Sequence, residues 1–294
     1  MDITGNEIVN NNSHGIWLDR QDNTHIDIKQ NTIMGNQSDG ISFSNYSYGD
    51  IIENLIIDNG SYGLYLYDMY GECVVRNNTI DGHTTDGLYW RSYSENSYAL
   101  TAINNSITNN GDHGINCYNG GSYNTIAYNN AYNNSNEPNH NYYGSLPDGV
   151  GQSTEINDNG TVCDIANNIS DNPLYLDPEN GNFYIDKESP NVNAGDPDPL
   201  YYDDDGTVSD IGRHPYQYDL GAQPSSIDFG VVDVGSDSVI VLTLTANGVD
   251  IDITSIAVDN NVFSLSETSA SITDGNSHDI IVTFTPAEHT TYYS

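Results

Sequence analysis

The chain has 294 residues, more than one average domain, and sets six Lys plus Arg against 42 Asp plus Glu for a formal charge of −36. That surplus repels phosphate backbones, anionic lipid heads and polyanionic sugars, which excludes nucleic acid and acidic membranes as partners; it suits a salty or calcium-containing exterior that screens or neutralises it. No run approaches the roughly 18 apolar residues of a membrane span and no signal-peptide pattern opens the chain, so Met1 is expected to open a fragment, while the odd set Cys73, Cys117 and Cys163 lacks the paired short spacings of a disulfide framework or a zinc ribbon.

The first half of the chain is a repeat. Thirty-six of the 40 asparagines precede residue 200, and Asn6, Asn31, Asn54, Asn78, Asn105 and Asn130 follow one another at 25, 23, 24, 27 and 25 residues. After each of the first five, Ile stands two places on (Ile8, Ile33, Ile56, Ile80, Ile107) and Gly nine places on (Gly15, Gly40, Gly63, Gly87, Gly114). The Gly is followed by Ile16, Ile41, Leu64, Leu88 or Ile115, and two residues later by Leu18, Phe43, Leu66, Trp90 or Cys117. Apolar positions of period two inside a repeat of about 24 residues mean short strands between turns, not helices. A single coil cannot bury its apolar face, whereas coils stacked about 4.8 Å apart share one core and satisfy each other's backbone. The predicted fold class is all-β, a parallel β-helix with regular coils over residues 3–135. The Asn column is expected to bond amide to amide along a turn. A second column, Asn11, Asn36, Asn59, His83 and Asn110, runs five residues behind it. Gly at the strand entrance answers a positive φ or a close backbone approach, and Cys117, in an inward row, reads as a small buried hydrophobe.

The pattern N-x-I-x6-G-[IL]-x-[LFWC] resembles the repeats of right-handed parallel β-helix proteins, the superfamily that includes pectin lyases and polygalacturonases. The resemblance implies the right hand, which is also the general expectation for crossovers between parallel strands.

Over residues 136–166 the register decays into a Gly-rich stretch, a long loop or widened coil. Residues 167–222 carry Asp171, Pro173, Leu174, Asp177, Pro178, Asn180, Gly181, Ser189, Pro190, Ala194, Gly195, Asp196, Pro197, Asp210, Ile211 and Gly212. They resemble the terminal segment of secreted bacterial β-helix proteins of the choice-of-anchor Q type, departing from it at Arg213–Tyr216. Such a segment is expected to cap the open end of the last coil, closing a β-helix domain over 1–222. Residues 223–294 change composition, with alternating strands such as Ser238–Thr245 and turns at Asn247-Gly248 and Asp274-Gly275, which argues for a β-sandwich. FG-V-vG and VTFTP elements there resemble immunoglobulin-like modules of the choice-of-anchor D or ASH type; with about 71 residues against roughly 100 for such a sandwich, the final strand is expected to be cut off.

Alternation turns the residue between the two inward positions outward, giving the column Trp17, Ser42, Tyr65, Tyr89, Asn116, beside Asp19, Ser44, Tyr67, Arg91, Tyr118. Trp17, Tyr65, Tyr67, Tyr89, Arg91 and Tyr118 are therefore the candidate ligand-binding residues: aromatic faces take the C–H face of a pyranose, and polar neighbours bond its hydroxyls. A third column, His14, Asp39, Tyr62, Asp86, His113, places titratable groups before each Gly. Asp39 and Asp86, two coils or roughly 10 Å apart, with His14 and His113 beside them, are the candidate catalytic set of a glycoside hydrolase. The Ser13-His14-Gly15 and Asp112-His113-Gly114 tripeptides resemble the [GS]-H-G element of polygalacturonases, whose other elements are not found in matching order. Lyase chemistry needs basic groups, and the regular coils offer only Arg20, Lys29, Arg76 and Arg91. Asp203, Asp205 and Asp210, in an Asp-Asp-Asp-Gly loop, are the candidate calcium ligands.

The expected function is non-catalytic recognition of a polysaccharide or cell-surface glycan by a monomer outside the cell, a neutral glycan being favoured on charge. A glycoside hydrolase and a stalk or adhesin without a small ligand are the two alternatives.

Overall fold

The computed structural model describes residues 1–19, 25–44, 48–93, 98–119, 121–135, 140–204, 206–216, 219–247 and 250–292. They form two compact units, Met1–Tyr216 and Gln217–Ser294.

In the first unit every coil gives one short strand to each of three parallel sheets. Sheet A stacks Asp2–Thr4, His25–Lys29, Tyr48–Ile52, Cys73–Arg76, Leu100–Ile103 and Thr125–Ala127. Sheet B stacks Glu7–Val9, Thr32–Met34, Leu55–Ile57, Thr79–Asp81, Ser106–Thr108 and Asn130–Tyr132. Sheet C stacks Ile16–Asp19, Ile41–Ser44, Leu64–Met69, Leu88–Ser92, Ile115–Cys117 and Tyr142–Gly144. The inward rows pair as the spacing demands: Leu64 lies between Ile41 and Leu88, and Leu66 between Phe43 and Trp90. All six side chains are fully buried in one continuous core, which Cys117 shares. Period-two apolar residues thus become a solvent-free interior because each coil covers the next.

The corners are held by the Asn ladder. Asn54 Nδ2 donates to Asn78 Oδ1 and to the carbonyls of Ile28 and Ile52, while its own Oδ1 accepts from Asn31 N and Nδ2. Each amide therefore satisfies main-chain groups that three sheets meeting at a corner would otherwise leave unpaired. After Asn105 the ladder passes to Asn129 and then Asn168, not to Asn130. Asn130 sits one place later, paired with Ser106 in sheet B, because the coil between Asn105 and its partner is 24 residues long rather than 25. Gly63 illustrates the strand entrance: its φ is ordinary, but a Cβ there would meet Ile80 Cγ2 at 2.5 Å and the Gly87 carbonyl at 2.6 Å. Close approach, not a left-handed backbone, is what requires glycine at this corner.

Past the regular coils, Tyr142 enters the core and its hydroxyl donates to the carbonyls of Asn129 and Ile169. The hairpin of Glu155–Ile156 with Val162–Cys163 follows, and Ile169 bridges Asn130 in parallel, so residues near 163–169 close the end of the stack. Asn168 and Ile169, the first residues of the 167–222 segment, lie on that end, and the rest of the segment runs back along the outer face of sheet B. Asn191 bonds Ser106 and Asn130, Tyr175 bonds Ser106, Phe183 packs on Leu55 and Ile57, and Arg213 reaches the Asn31 carbonyl and Thr32 Oγ1. The outward residues of sheet B include Leu55 and Ile57, an apolar strip that needs a cover. Arg213, the point of departure from the terminal-segment pattern, is the residue that ties this strap to the second coil.

The second unit contains a four-stranded antiparallel sheet ordered Asp219–Gln223, Ser238–Asn247, Ser277–Phe284, Phe263–Leu265, and a two-stranded one of Ile251–Ile253 with Ala270–Ile272. Because Asp219–Gln223 pairs with Ser238–Asn247, the boundary falls after Tyr216 and not after residue 222. Leu244, Ala246, Ile272 and Ile280 form its core.

Candidate functional site

Sheet B is covered by the strap, and sheet C carries the aromatic side chains. Its registered pairs run Trp17, Ser42, Tyr65, Tyr89, Asn116, Tyr143 on successive coils, a column about 24 Å long at the usual strand spacing. Trp17 is 64% exposed and Tyr118 63%, while Tyr65, Tyr67 and Tyr89 are half-buried against one another. Tyr65 stacks on Tyr67 (centroids 5.4 Å apart, planes 10° apart) and on Tyr89 (5.4 Å, 19°). Tyr62, from the third column, leans onto Tyr65 at 4.8 Å. Neighbouring coils thus assemble four phenol rings into one surface.

Arg91 organises its edge. In Leu64–Met69 the register with Leu88–Ser92 shifts after Leu66, so the two chains are out of step at Arg91. Asp68 takes φ 51° there, the sign of a bulge that re-aims side chains. Arg91 Nη1 then donates to Tyr67 Oη at 2.6 Å, Nε meets Asp68 Oδ1 at 3.1 Å, and the guanidinium lies 4.6 Å over the Tyr67 ring and 5.1 Å from that of Tyr118. Burial and the neighbouring phenols push Tyr65 up to about 12, and burial raises Tyr62 and Tyr89 as well. These hydroxyls stay neutral at ordinary pH, able both to donate and to accept.

The third column is organised differently. Asp39 and Asp86 are 5% and 3% exposed, and Tyr62 lies between them. Asp39 faces His14 (Oδ2–Nδ1 3.1 Å) and accepts from Tyr62 N. Asp86 Oδ1 accepts from His113 N and faces His113 Nδ1 at 2.7 Å, and its Oδ2 accepts from Asn116 Nδ2. Each carboxylate is thus taken up by its own imidazole and by the main chain of the next coil, the work of a turn residue. The two do not share a cleft.

In the acidic loop, Asp210 Oδ1 and Oδ2 accept from the amides of Asn193 and Tyr216, and Asp203 Oδ2 accepts from Asp210 N. Asp205 lies outside the described residues, as does Arg20. Of the other basic groups of the coils, Lys29 pairs with Asp27 and Arg76 lies over Tyr201.

Sequence reasoning missed Tyr143 and His140, which continue the first and third columns by one coil. Their signal is the 27-residue interval from Asn116 and His113, masked because Asn141 stands where the other coils have Gly.

His83, the one departure in the second Asn column, fits as a neutral ring. Asn59 Nδ2 approaches its Nε2 at 3.1 Å, so that nitrogen accepts, and Nδ1 faces Asn110 Oδ1 at 2.8 Å, so that one donates. Burial lowers its pKa from 6.5 to about 4. Below pH 6.5 the unfolded chain takes up the proton while the folded one resists it, so stability present above 6.5 is lost as pH falls toward 4. The expected loss is about 3 kcal/mol at pH 4. His83→Asn should flatten that part of the stability profile, measured by urea unfolding between pH 4 and 7, and an unchanged profile would contradict the assignment.

A family model for the right-handed beta helix region matches residues 1–192. The chain belongs to the right-handed β-helix family. No curated protein and no solved structure matches it. Membership of this family agrees with the three parallel sheets and fixes the hand of the coil, but it names no ligand.

Proposed function

We propose that the open face of sheet C recognises a neutral polysaccharide or cell-surface glycan, outside the cell, without cleaving it. The observation that carries this reading is the stack of Tyr62, Tyr65, Tyr67 and Tyr89, clamped at its edge by Arg91 and flanked by the exposed Trp17. Half-exposed rings held rigid by their neighbours offer apolar faces to sugar C–H groups at little entropic cost on binding. Phenol, guanidinium and Asp19 carboxylate at the margin bond hydroxyls. The excess of acid over base disfavours uronate polymers. Periodic strands present aromatic side chains on four of six successive coils, which suits a repeating ligand. The second unit, with its antiparallel sheets, serves in this reading as an immunoglobulin-like spacer.

Trp17 supplies the readout, since the other tryptophan, Trp90, is fully buried. Titration with soluble neutral polysaccharides is expected to shift Trp17 emission and protect it from iodide. Tyr65→Ala/Tyr89→Ala should weaken the titration at least tenfold, about 1.4 kcal/mol, and no reducing ends should accumulate. Equal affinity in the double variant would contradict the assignment of the face, and accumulating reducing ends would favour the hydrolase.

A further inference from the structure

At the C-terminal end of the same sheet the third column brings two imidazoles and a carboxylate together, on residues the glycan face does not use. Asp112 Oδ1 lies 3.4 Å from His113 Nδ1 and 3.3 Å from His140 Nδ1, and the three ligand atoms all lie within 4.8 Å of one another. We propose that Asp112, His113 and His140 form a binding site for a divalent transition-metal ion of the zinc type.

Three observations carry this. First, ligands at about 2.0–2.1 Å from a tetrahedral zinc ion are about 3.3–3.4 Å from one another, the spacing that Asp112 Oδ1 makes with both ring nitrogens. Second, His140 Nδ1 is screened from solvent and makes no hydrogen bond, although Asp112 Oδ1 is 3.3 Å away. A buried ring nitrogen without a partner is costly, and a shared cation satisfies it. Third, the coil brings the set together: His113 and His140 stack on successive coils with centroids 4.6 Å apart, and Tyr143 packs on His113 at 4.0 Å. The near-parallel rings require His140, which is partly exposed, to turn about its Cβ–Cγ bond so that its lone pair meets the ion.

Two imidazole nitrogens with one carboxylate select a borderline transition metal over calcium or magnesium, which prefer oxygen. Binding requires His113 Nδ1 to give up its hydrogen bond with Asp86 Oδ1, 2.7 Å away, with the proton released to solvent, so the ion competes with Asp86 for that nitrogen. Three protein ligands leave one position of the tetrahedron for water or a hydroxyl. Exposed Asp112 places that position at the surface.

A second group, His25, Asp27 and Asp50 on sheet A, provides the internal comparison. Its His25 Nδ1–Asp27 distance is longer, 3.7 Å, its 3.4 Å contact with Asp50 is made through the other ring nitrogen, and Lys29 occupies Asp27 at 2.9 Å. Calorimetric titration of the full chain with zinc chloride is expected to give a single site of one ion per chain. Asp112→Ala and His140→Ala should each weaken it at least tenfold, with the melting temperature of the metal-free protein unchanged, and His25→Ala should leave it intact. Absence of binding at millimolar zinc, equal affinity in both variants, or loss only in His25→Ala would each overturn the site.

Discussion

Leu66→Asp is expected to abolish the cooperative unfolding transition of the β-helix, whereas Tyr65→Ala, one residue away, should leave the transition in place. Leu66 is fully buried between Phe43 and Trp90, in the middle of the apolar core. Burying an unpaired charge there costs several kcal/mol on top of the roughly 2 kcal/mol of lost apolar burial, a large fraction of a typical stability of 5–15 kcal/mol. Tyr65 points to the other side of the same strand and loses only ring contacts with Tyr62, Tyr67 and Tyr89, about 1–2 kcal/mol. Circular-dichroism melts of the two variants separate the cases; equal loss in both would contradict the strand register.

Asn78→Ala is expected to lower stability by at least about 3 kcal/mol, while Asn6→Ala at the exposed start of the ladder stays within about 1 kcal/mol. Asn78 Oδ1 accepts from Asn54 N and Nδ2, and its Nδ2 donates to the carbonyls of Ile51 and Arg76 and to Asn105 Oδ1. Truncation orphans several of these groups in a site closed to water, each at about 1–3 kcal/mol. Asn6 makes its bonds at the first coil, where solvent can replace them. Urea midpoints at neutral pH measure the difference, and similar midpoints would show that the ladder is ornament rather than support.

The parts of this molecule that repeat were legible and the parts that occur once were not. Ile33, Ile56, Ile80 and Ile107 announce the inward row of sheet B because every coil solves the same burial problem with the same spacing. Trp17, Tyr65 and Tyr89 follow from it by alternation. Asn129 and Asn130 stand side by side, and only the pairing of Asn130 with Ser106 tells which one enters the ladder. Tyr143 and His140 escaped because the coil that carries them lacks its entrance Gly. The strap is invisible to periodicity altogether, since Phe183, Asn191 and Arg213 act through contacts with residues 61 or more positions away. Spacing did place Asp39 and Asp86 in one column, yet it could not show that Tyr62 stands between them and that each is engaged by an imidazole on its far side. Whether a carboxylate is free or engaged depends on side-chain partners that a repeat pattern does not encode.

The proposal that sheet C reads a glycan is tested most directly by a glycan array probed with the full chain and with Tyr65→Ala/Tyr89→Ala, both shown to be folded. The account predicts binding to a set of neutral repeating glycans by the parent and its loss in the double variant. Silence of the parent across neutral and acidic glycans, or a signal that the double variant retains, would contradict it.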